Sequence, residues 1–262
     1  MFFCANAEPF TERIANFIKN KNRNATINWF EDGLSAYYFD QRYFPNLTSK
    51  IKNKAIYLIE RVYRLTTFVD NYYVFNPNLM EWHPKAKVCK IEGLNEAIVY
   101  ELGQIFNVSD CLDEYKEKYI FFEDGAQDWK KESDIKLVNL IAEKVGKENI
   151  IVRIHPRNPV NRFKKLGYKT NQDTSIPWEV LVANIEIKNK VLITMYSQCV
   201  VTPEILLGLK PKALLMANLD PYYEQKNHDI FDFMNRAFFE KDKEHYIVPM
   251  NMEEFNQTVA DL

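Results

Sequence analysis

One short run, Ile154-His155-Pro156-Arg157, combines a side chain that can donate a proton with a permanent cation. It follows the β-branched residues Ile150-Ile151-Val152, which are typical of a buried parallel strand. In open α/β sheets, ligands bind outside the carboxyl ends of the strands. We therefore predict that His155 protonates or hydrogen-bonds a departing phosphate, and that Arg157 holds a phosphate or carboxylate with two hydrogen bonds.

Two other apolar runs also end in polar loops. Residues 119–122 are followed by Glu123-Asp124-Gly125, and residues 191–195 are followed by Tyr196-Ser197-Gln198. Because the carboxyl ends of parallel strands meet at one edge of a sheet, we expect the three loops to share a cleft.

The chemistry available in this cleft suits group transfer from an anionic donor. A carboxylate of the first loop could accept the proton of an attacking hydroxyl. Ser197, together with the free amides of a helix that starts at Thr202-Pro203, would seat an anion without a metal. We assign four residues to substrate binding: Pro156, Arg157, Ser197 and Thr202.

Each of these features also has a purely structural interpretation. A histidine after a strand is often a hydrogen-bonded turn residue, and Arg157 alone would be read as half of a surface ion pair. Glu123-Asp124-Gly125 has the composition of a turn, and Ser197 could simply begin a helix. The joint placement at one sheet edge favours a site. A second His-Pro pair, His83-Pro84, follows no strong strand and is predicted to lie in a loop.

Composition narrows the classes of function. The 262 residues carry a net charge of −2, so no global field recruits nucleic acid, and no nucleic-acid partner is expected. No apolar run approaches the ~20 residues of a membrane span. The four cysteines show neither metal spacing nor a Cys-x-x-Cys pair, which predicts reduced thiols in a cytoplasmic protein.

Glycine is scarce, at seven residues. The sequence contains no G-x-G-x-x-G and no P-loop motif, both of which need glycine for close approach of the backbone to phosphates. It also contains no D-x-D, so a metal bridging a sugar-nucleotide diphosphate is not indicated, and we expect neither a metal nor a cofactor.

The elements that would position these residues follow an α/β pattern. Residues 8–20 predict an amphipathic helix whose apolar face is Phe10, Ile14, Phe17 and Ile18. Residues 26–30 predict a strand that leads to Glu31-Asp32-Gly33. Residues 49–70 give the clearest helix. Residues 119–122, 132–145 and 150–154 predict a βαβ unit with parallel strands. A soft boundary near residue 115 divides the chain into domains 1–115 and 116–262.

Three runs, in order along most of the chain, carry a resemblance to a known family. They are Trp29-Phe30-Glu31-Asp32-Gly33-Leu34-Ser35-Ala36-Tyr37, Ile154-His155-Pro156-Arg157, and Met195-Tyr196-Ser197-Gln198-Cys199-Val200-Val201-Thr202-Pro203. Together with Pro177-Trp178-Glu179 between the second and third runs, they resemble the bacterial sialyltransferases of glycosyltransferase family 52, which act on lipooligosaccharide or capsule. These share an acidic-acidic-Gly motif and a His-Pro motif with the bacterial polysialyltransferases.

The resemblance implies a GT-B fold, in which two Rossmann-like domains face each other across a cleft. It implies CMP-sialic acid as donor, a galactose-containing glycan or glycolipid as acceptor, inversion at the anomeric carbon and no required metal. On this basis His155 is the general acid toward the CMP phosphate, and Ser197 contacts that phosphate.

The resemblance leaves the catalytic base open between two loops, weighted equally. In the related polysialyltransferases the base is an acid of the acidic-acidic-Gly motif, which falls on Glu31 or Asp32. In family 52 itself it is a carboxylate after the first strand of the second domain, for which the nearest matches are Asp124 and Asp128.

Only thirty residues precede Glu31, whereas family members place several strands and helices there. The expectation is an incomplete N-terminal domain that needs a partner chain, for instance in a homodimer. The basic helix at 49–70 motivates a weaker hypothesis of peripheral contact with anionic lipid at the inner face of the membrane. Two alternative functions stay open: a glycosyltransferase of the same fold with another nucleotide-sugar donor, and an inactive, truncated CMP-binding module.

Overall fold

A computed structural model describes residues 1–4, 9–38, 65, 68–82, 85–125, 132–171, 173–222 and 229–262. The chain forms two compact units, Met1–Gly93 and Leu94–Leu262. Each unit is an α/β structure built on a parallel sheet, so the predicted fold class of two Rossmann-like units is confirmed. His83-Pro84, and the helix predicted over 49–70 apart from residues 65 and 68–70, lie outside the described residues. In the part of the chain that is described, no helix is long and apolar enough to cross a bilayer.

The first unit contains a four-stranded parallel sheet with strand order β1-β2-β3-β4. Its inner strands are those that the sequence predicts. The bounds of its elements are β1 Phe2–Cys4, α1 Pro9–Lys21, β2 Ile27–Phe30, β3 Asn71–Val74 and β4 Lys87–Lys90.

Helix α1 buries a different face from the one that its apolar residues suggest. Phe10 and Phe17 are 72% and 63% exposed, whereas Glu12 and Ala15 are buried. The Glu12 carboxylate accepts a hydrogen bond from the backbone amide of Leu65 at 3.0 Å, which compensates its desolvation. A polar residue with a fixed partner therefore takes an inward position that hydrophobic periodicity assigns to phenylalanine.

The second unit contains a six-stranded parallel sheet with strand order β10-β9-β8-β5-β6-β7. The predicted parallel βαβ unit is confirmed as β5-α3-β6. Its strands are β5 Tyr119–Phe122, β6 Ile150–Arg153, β7 Lys169–Thr170, β8 Val191–Thr194, β9 Lys212–Leu215 and β10 Tyr246–Ile247. Its α-helices are α2 Glu96–Ile105, α3 Ser133–Val145, α4 Arg162–Lys165, α5 Trp178–Asn184, α6 Thr202–Leu207, α7 Asp229–Met234 and α8 Met252–Ala260.

The central strands of this sheet are buried on both faces, which explains why they read as continuous apolar runs. Phe121 and Val152 point into a core that contains Ile141 of α3 and Phe255 of α8. The alternate residues point to the other face, where Phe122 packs edge-to-face on Trp178 at the start of α5. This second face of the sheet leads directly to the site.

The division between the units differs from the boundary near residue 115 that the sequence suggests. Residues 94–115 belong to the second unit, because α2 packs against α5. A buried hydrogen bond also ties this segment to the sheet: Arg153 at the end of β6 donates to the hydroxyl of Tyr115 at 2.6 Å.

Candidate active site

A cavity of about 650 Å³ opens at the carboxyl ends of β5, β6 and β8, which are neighbours in the sheet of the second unit. The three loops that the sequence places at this edge all line it, as does a fourth segment, 174–179. Asp124, His155, Pro156, Arg157 and Ser197 therefore share one cavity.

The ring of His155 is held in a defined tautomer. Its Nδ1 accepts a hydrogen bond from the backbone amide of Arg157 at 3.1 Å, so the neutral ring carries its proton on Nε2. A Cβ added to Gly125 would lie 3.5 Å from that Nε2 and 3.2 Å from a guanidinium nitrogen of Arg157, so the glycine lets the loop pass close to both side chains. Burial lowers the pKa of His155, and the charges of Arg157 and Arg153 lower it further. The imidazole is thus neutral in the free protein at neutral pH.

Glu123 is not the exposed turn residue that composition suggests but a buried structural anion, 2% exposed. Its Oε1 lies 2.9 Å from the guanidinium of Arg162, which also binds Asp134 at 2.6 Å. Its Oε2 accepts a hydrogen bond from the backbone amide of His155 at 3.3 Å. Burial opposes the charge on Arg162, but the two carboxylates outweigh it and raise the pKa of that guanidinium. This triad fixes the backbone that carries the imidazole.

Asn158 joins the first two loops. Its backbone amide donates to the carbonyl of His155 at 2.9 Å, and its side-chain amide donates to the carbonyl of Asp124 at 2.8 Å. The loop that carries Asp124 is therefore tied directly to the His-Pro turn.

Ser197 stands at the end of β8 in a short hydrogen-bonded turn. Its amide donates to Thr194 Oγ1 at 2.9 Å, and its Oγ accepts from the amide of Cys199 at 3.3 Å. The serine side chain also interacts with the thiol of Cys199, which lines the cavity as well. Burial raises the pKa of that thiol to about 11, although the hydrogen bond with Ser197 acts to lower it, so Cys199 is not a thiolate nucleophile.

The structure does not bring Thr202 to the cavity that the other predicted binding residues share. Thr202 does not line the cavity; it is 9% exposed, and its hydroxyl donates to the carbonyl of Gln198 at 3.5 Å. The N-cap of α6 is Val201, and no side chain caps the helix. A 3₁₀ turn over Gln198–Val200 intervenes after Ser197 and carries the chain back into the core, so the start of α6 does not form the predicted anion seat.

Arg153 and the segment 174–179 form a wall that sequence reasoning missed. Arg153 donates to the carbonyl of Ile176 at 2.5 Å, and its guanidinium lies 5.9 Å from the ring centre of Trp178. The indole of Trp178 donates to the carbonyl of Cys199 at 2.9 Å, which links this wall to the serine loop. The feature of the sequence that could have revealed this wall is Arg153 itself, a single cation at the end of an apolar strand.

Arg157 occupies the exposed rim of the same cavity. Among the residues that the structure describes, no carboxylate lies within ion-pairing distance of its guanidinium. The interpretation of Arg157 as half of a surface ion pair therefore finds no support in this part of the chain.

The other acidic-acidic-Gly motif lies in the first unit, at the end of β2. Glu31 Oε2 accepts hydrogen bonds from the amide of Phe75 at 2.7 Å and from the hydroxyl of Tyr37. Burial raises the pKa of Glu31, partly offset by these hydrogen bonds. Asp32 is exposed. Asp128, an alternative to Asp124, lies outside the described residues.

Replacement of Glu123 by Gln should remove one charge of the triad while keeping its shape. We expect a loss of about 1–3 kcal/mol in the free energy of unfolding, because one oxygen that pairs with buried Arg162 becomes a poorer acceptor or a clashing donor. Urea denaturation measures this loss. The matched control is Glu143→Gln on the exposed side of α3, expected within about 0.5 kcal/mol of wild type. Equal effects of the two substitutions would contradict the triad's structural role.

Comparison with known proteins finds a matching family model and a set of similar solved structures, two of which are described here. A family model described as alpha-2,8-polysialyltransferase (POLYST) matches residues 3–215. The structure of the wall teichoic acid polymerase TagF matches with a TM-score of 0.45 and 15% identity over 92% of this chain. A TagF structure described as H444N + CDPG (30 minute soak) matches with a TM-score of 0.47 and 17% identity over 99% of this chain. In both cases the match covers 64% of the TagF chain. No curated protein matches this chain.

Proposed function

The chain belongs to the alpha-2,8-polysialyltransferase family, and from this premise we propose that it is an inverting sialyltransferase. The donor in this proposal is CMP-sialic acid, and the acceptor is a galactose-containing surface glycan of the lipooligosaccharide or capsule type. The observation that carries the proposal is the meeting of His155, Arg157 and Ser197 in one cavity at the carboxyl edge of a parallel sheet.

In the proposed reaction an acceptor hydroxyl attacks the anomeric carbon of sialic acid as the bond from that carbon to the CMP phosphate oxygen breaks. The hydroxyl proton goes to a carboxylate, and the departing phosphate takes up a proton from His155 Nε2. Negative charge grows on the phosphate during this step, so the imidazole and the hydroxyl of Ser197 stabilise the transition state more than the ground state.

The neutral imidazole of the free protein fits this role once the donor is bound. Burial lowers the pKa of His155 most, and the charges of Arg157 and Arg153 lower it further in the free protein. A bound phosphate would compensate both cations and raise that pKa. Charging the ring places a proton on Nδ1, so in this proposal donor binding also replaces the hydrogen bond that Nδ1 accepts from the amide of Arg157.

Three carboxylates remain candidates for the base: Glu31, Asp32 and Asp124. We place Glu31 first, because burial raises its pKa toward the range in which a carboxylate is an effective base. Asp32 is exposed and is therefore a weaker candidate for the base. Asp124 remains a candidate because it lines the cavity of the second unit.

The activity is tested by a donor screen on the whole chain. Thermal denaturation with CMP, UMP and ADP should show the largest stabilisation with CMP, and transfer from CMP-sialic acid to lactose should follow. Stabilisation by UMP or ADP instead of CMP would indicate another nucleotide-sugar donor. CMP binding without either hydrolysis or transfer would indicate a binding module.

Substitution of His155 should separate catalysis from binding. We expect His155→Asn to lower the transfer rate by about 10²–10⁴-fold, the usual contribution of general acid catalysis, while CMP binding changes only a few-fold. Steady-state transfer assays and calorimetry measure the two quantities. His245→Asn is the matched control, since that ring pairs with Asp242 at 2.9 Å and does not line the cavity. An unchanged rate in His155→Asn would remove His155 from the mechanism.

Binding of CMP should be coupled to proton uptake at His155. The free protein holds the pKa of this group below its ordinary value of about 6.5, and the bound phosphate raises it. At a pH between the pKa of the free protein and that of the complex, only the complex holds the extra proton, so the affinity for CMP increases as the pH falls through that window. Calorimetry in two buffers of different ionisation enthalpy measures the uptake.

The phosphate also ionises near pH 6 and takes up protons in every variant, so the contribution of His155 is the difference between wild type and His155→Asn. If proton uptake is identical in the two proteins, the coupling does not involve this ring.

A further inference from the structure

The second unit contains two buried arginines, Arg162 and Arg153, that differ in whether a carboxylate lies close to the guanidinium. The side chain of Arg162 is 10% exposed and contacts two carboxylates, at 2.9 Å from Glu123 and 2.6 Å from Asp134. Arg153 is 8% exposed, yet no carboxylate of the described residues lies within ion-pairing distance of it. Its named partners are both neutral oxygens: the hydroxyl of Tyr115 at 2.6 Å and the carbonyl of Ile176 at 2.5 Å.

These partners satisfy hydrogen bonds of Arg153 but do not neutralise its charge. Burial raises the pKa of Tyr115 to about 12 despite the opposing charge of Arg153, so the phenol stays protonated at neutral pH. The charge of Arg153 acts on Asp173, but that carboxylate is exposed and its pKa is lowered mainly by hydrogen bonds from Ser175. A cation buried without a close counter-charge is costly, and the cost disappears when an anion arrives.

Arg153 is also in the right place to receive such an anion. It is the last residue of β6, its side chain lines the cavity, and Trp178 and Ile176 lie beside it in the cavity wall. A guanidinium has further N–H donors beyond the two that these neutral oxygens occupy. The cavity thus has one buried cation, Arg153, and one at the rim, Arg157. Three carboxylates also line it: Glu123 is paired with Arg162, whereas Asp124 and Glu179 form no ion pair with Arg153 among the described residues.

We propose that Arg153 is the interior anion-binding residue of this cavity, and that the negative charge of the ligand completes its ion pair. The ligand class is a nucleoside monophosphate ester of an acidic sugar, whose phosphate and carboxylate share the required chemistry. The choice of ligand rests on the proposed function, whereas the need for an anion rests on the contacts of Arg153 alone.

The test compares charged and neutral ligands in matched variants of the whole chain. Calorimetry measures binding of CMP, cytidine and free sialic acid to wild type, Arg153→Met and Arg153→Lys, with UMP and uridine as a second pair. Arg23→Met, an exposed arginine of the first unit, is the control. Arg153→Met should weaken CMP by about 10- to 100-fold and leave cytidine within about threefold, because only the charged ligand loses a partner. Arg153→Lys should recover part of the loss.

The ligand arms identify the source of the anion. A loss confined to CMP assigns the phosphate to Arg153, and a loss confined to sialic acid assigns the carboxylate; both support the proposal. If wild type prefers UMP to uridine but ignores CMP, the proposed donor is wrong while Arg153 is still tested by the uridine pair. If wild type prefers no charged ligand over its neutral counterpart, the anion-binding role is wrong.

Thermal denaturation without ligand separates this role from a purely structural one. Arg153→Met removes a charge that no carboxylate of the described residues pairs with, but it also removes the hydrogen bonds to Tyr115 and Ile176, so we expect the melting temperature to change little. A lowered melting temperature together with equal losses for CMP and cytidine would show that Arg153 only anchors the carbonyl of Ile176, and would overturn the proposal.

Discussion

Glu123 carries a buried carboxylate at the point where two loops and two helices meet, and its charge has to be matched there. Arg162 supplies the matching charge and draws in Asp134 from the first turn of α3. The remaining carboxylate oxygen holds the backbone amide of His155. Breaking such a buried pair leaves an uncompensated charge, which is far more costly than the pair is worth as a whole. The position of the imidazole thus depends on the ion pair between Glu123 and Arg162.

The cavity beside this fixed frame carries charges of both signs. Arg153 and Arg157 line it together with three carboxylates, those of Glu123, Asp124 and Glu179. Glu123 is already paired with Arg162. Burial, together with the charges of Arg157 and Arg153, lowers the pKa of His155 and favours its neutral form in the free protein.

The sequence predicts the framework of the second unit well. Its inner strands are buried on both faces, so each of them appears in the sequence as one continuous apolar run. Strands β5, β6, β8 and β9 and helix α3 lie where the apolar runs place them. The short edge strands β7 and β10 carry too few residues to give a periodic signal. The sialyltransferase resemblance is confirmed at the level of the family, whereas the family-52 type, the peripheral membrane contact and the homodimer stay predictions.

Side-chain partners were harder to predict than backbone elements. Glu123 has the neighbours of a turn residue, and only the three-dimensional contact with Arg162, thirty-nine residues later, shows that it is buried. Thr202 was placed correctly at a helix start. The 3₁₀ turn that separates this helix from Ser197 was missed, because a turn of three residues is too short to predict from composition. Arg153 needed the Tyr115 contact, which joins a segment that sequence alone assigned to the other domain.

The thiol of Cys199 has a consequence for the chemical durability of this cavity. With a pKa of about 11, only about one such thiol in ten thousand is ionised at neutral pH. Oxidants and alkylating agents react with the thiolate, so a thiol that stays protonated reacts slowly with them. The cavity can therefore carry a cysteine in its wall without becoming sensitive to the redox state of its surroundings.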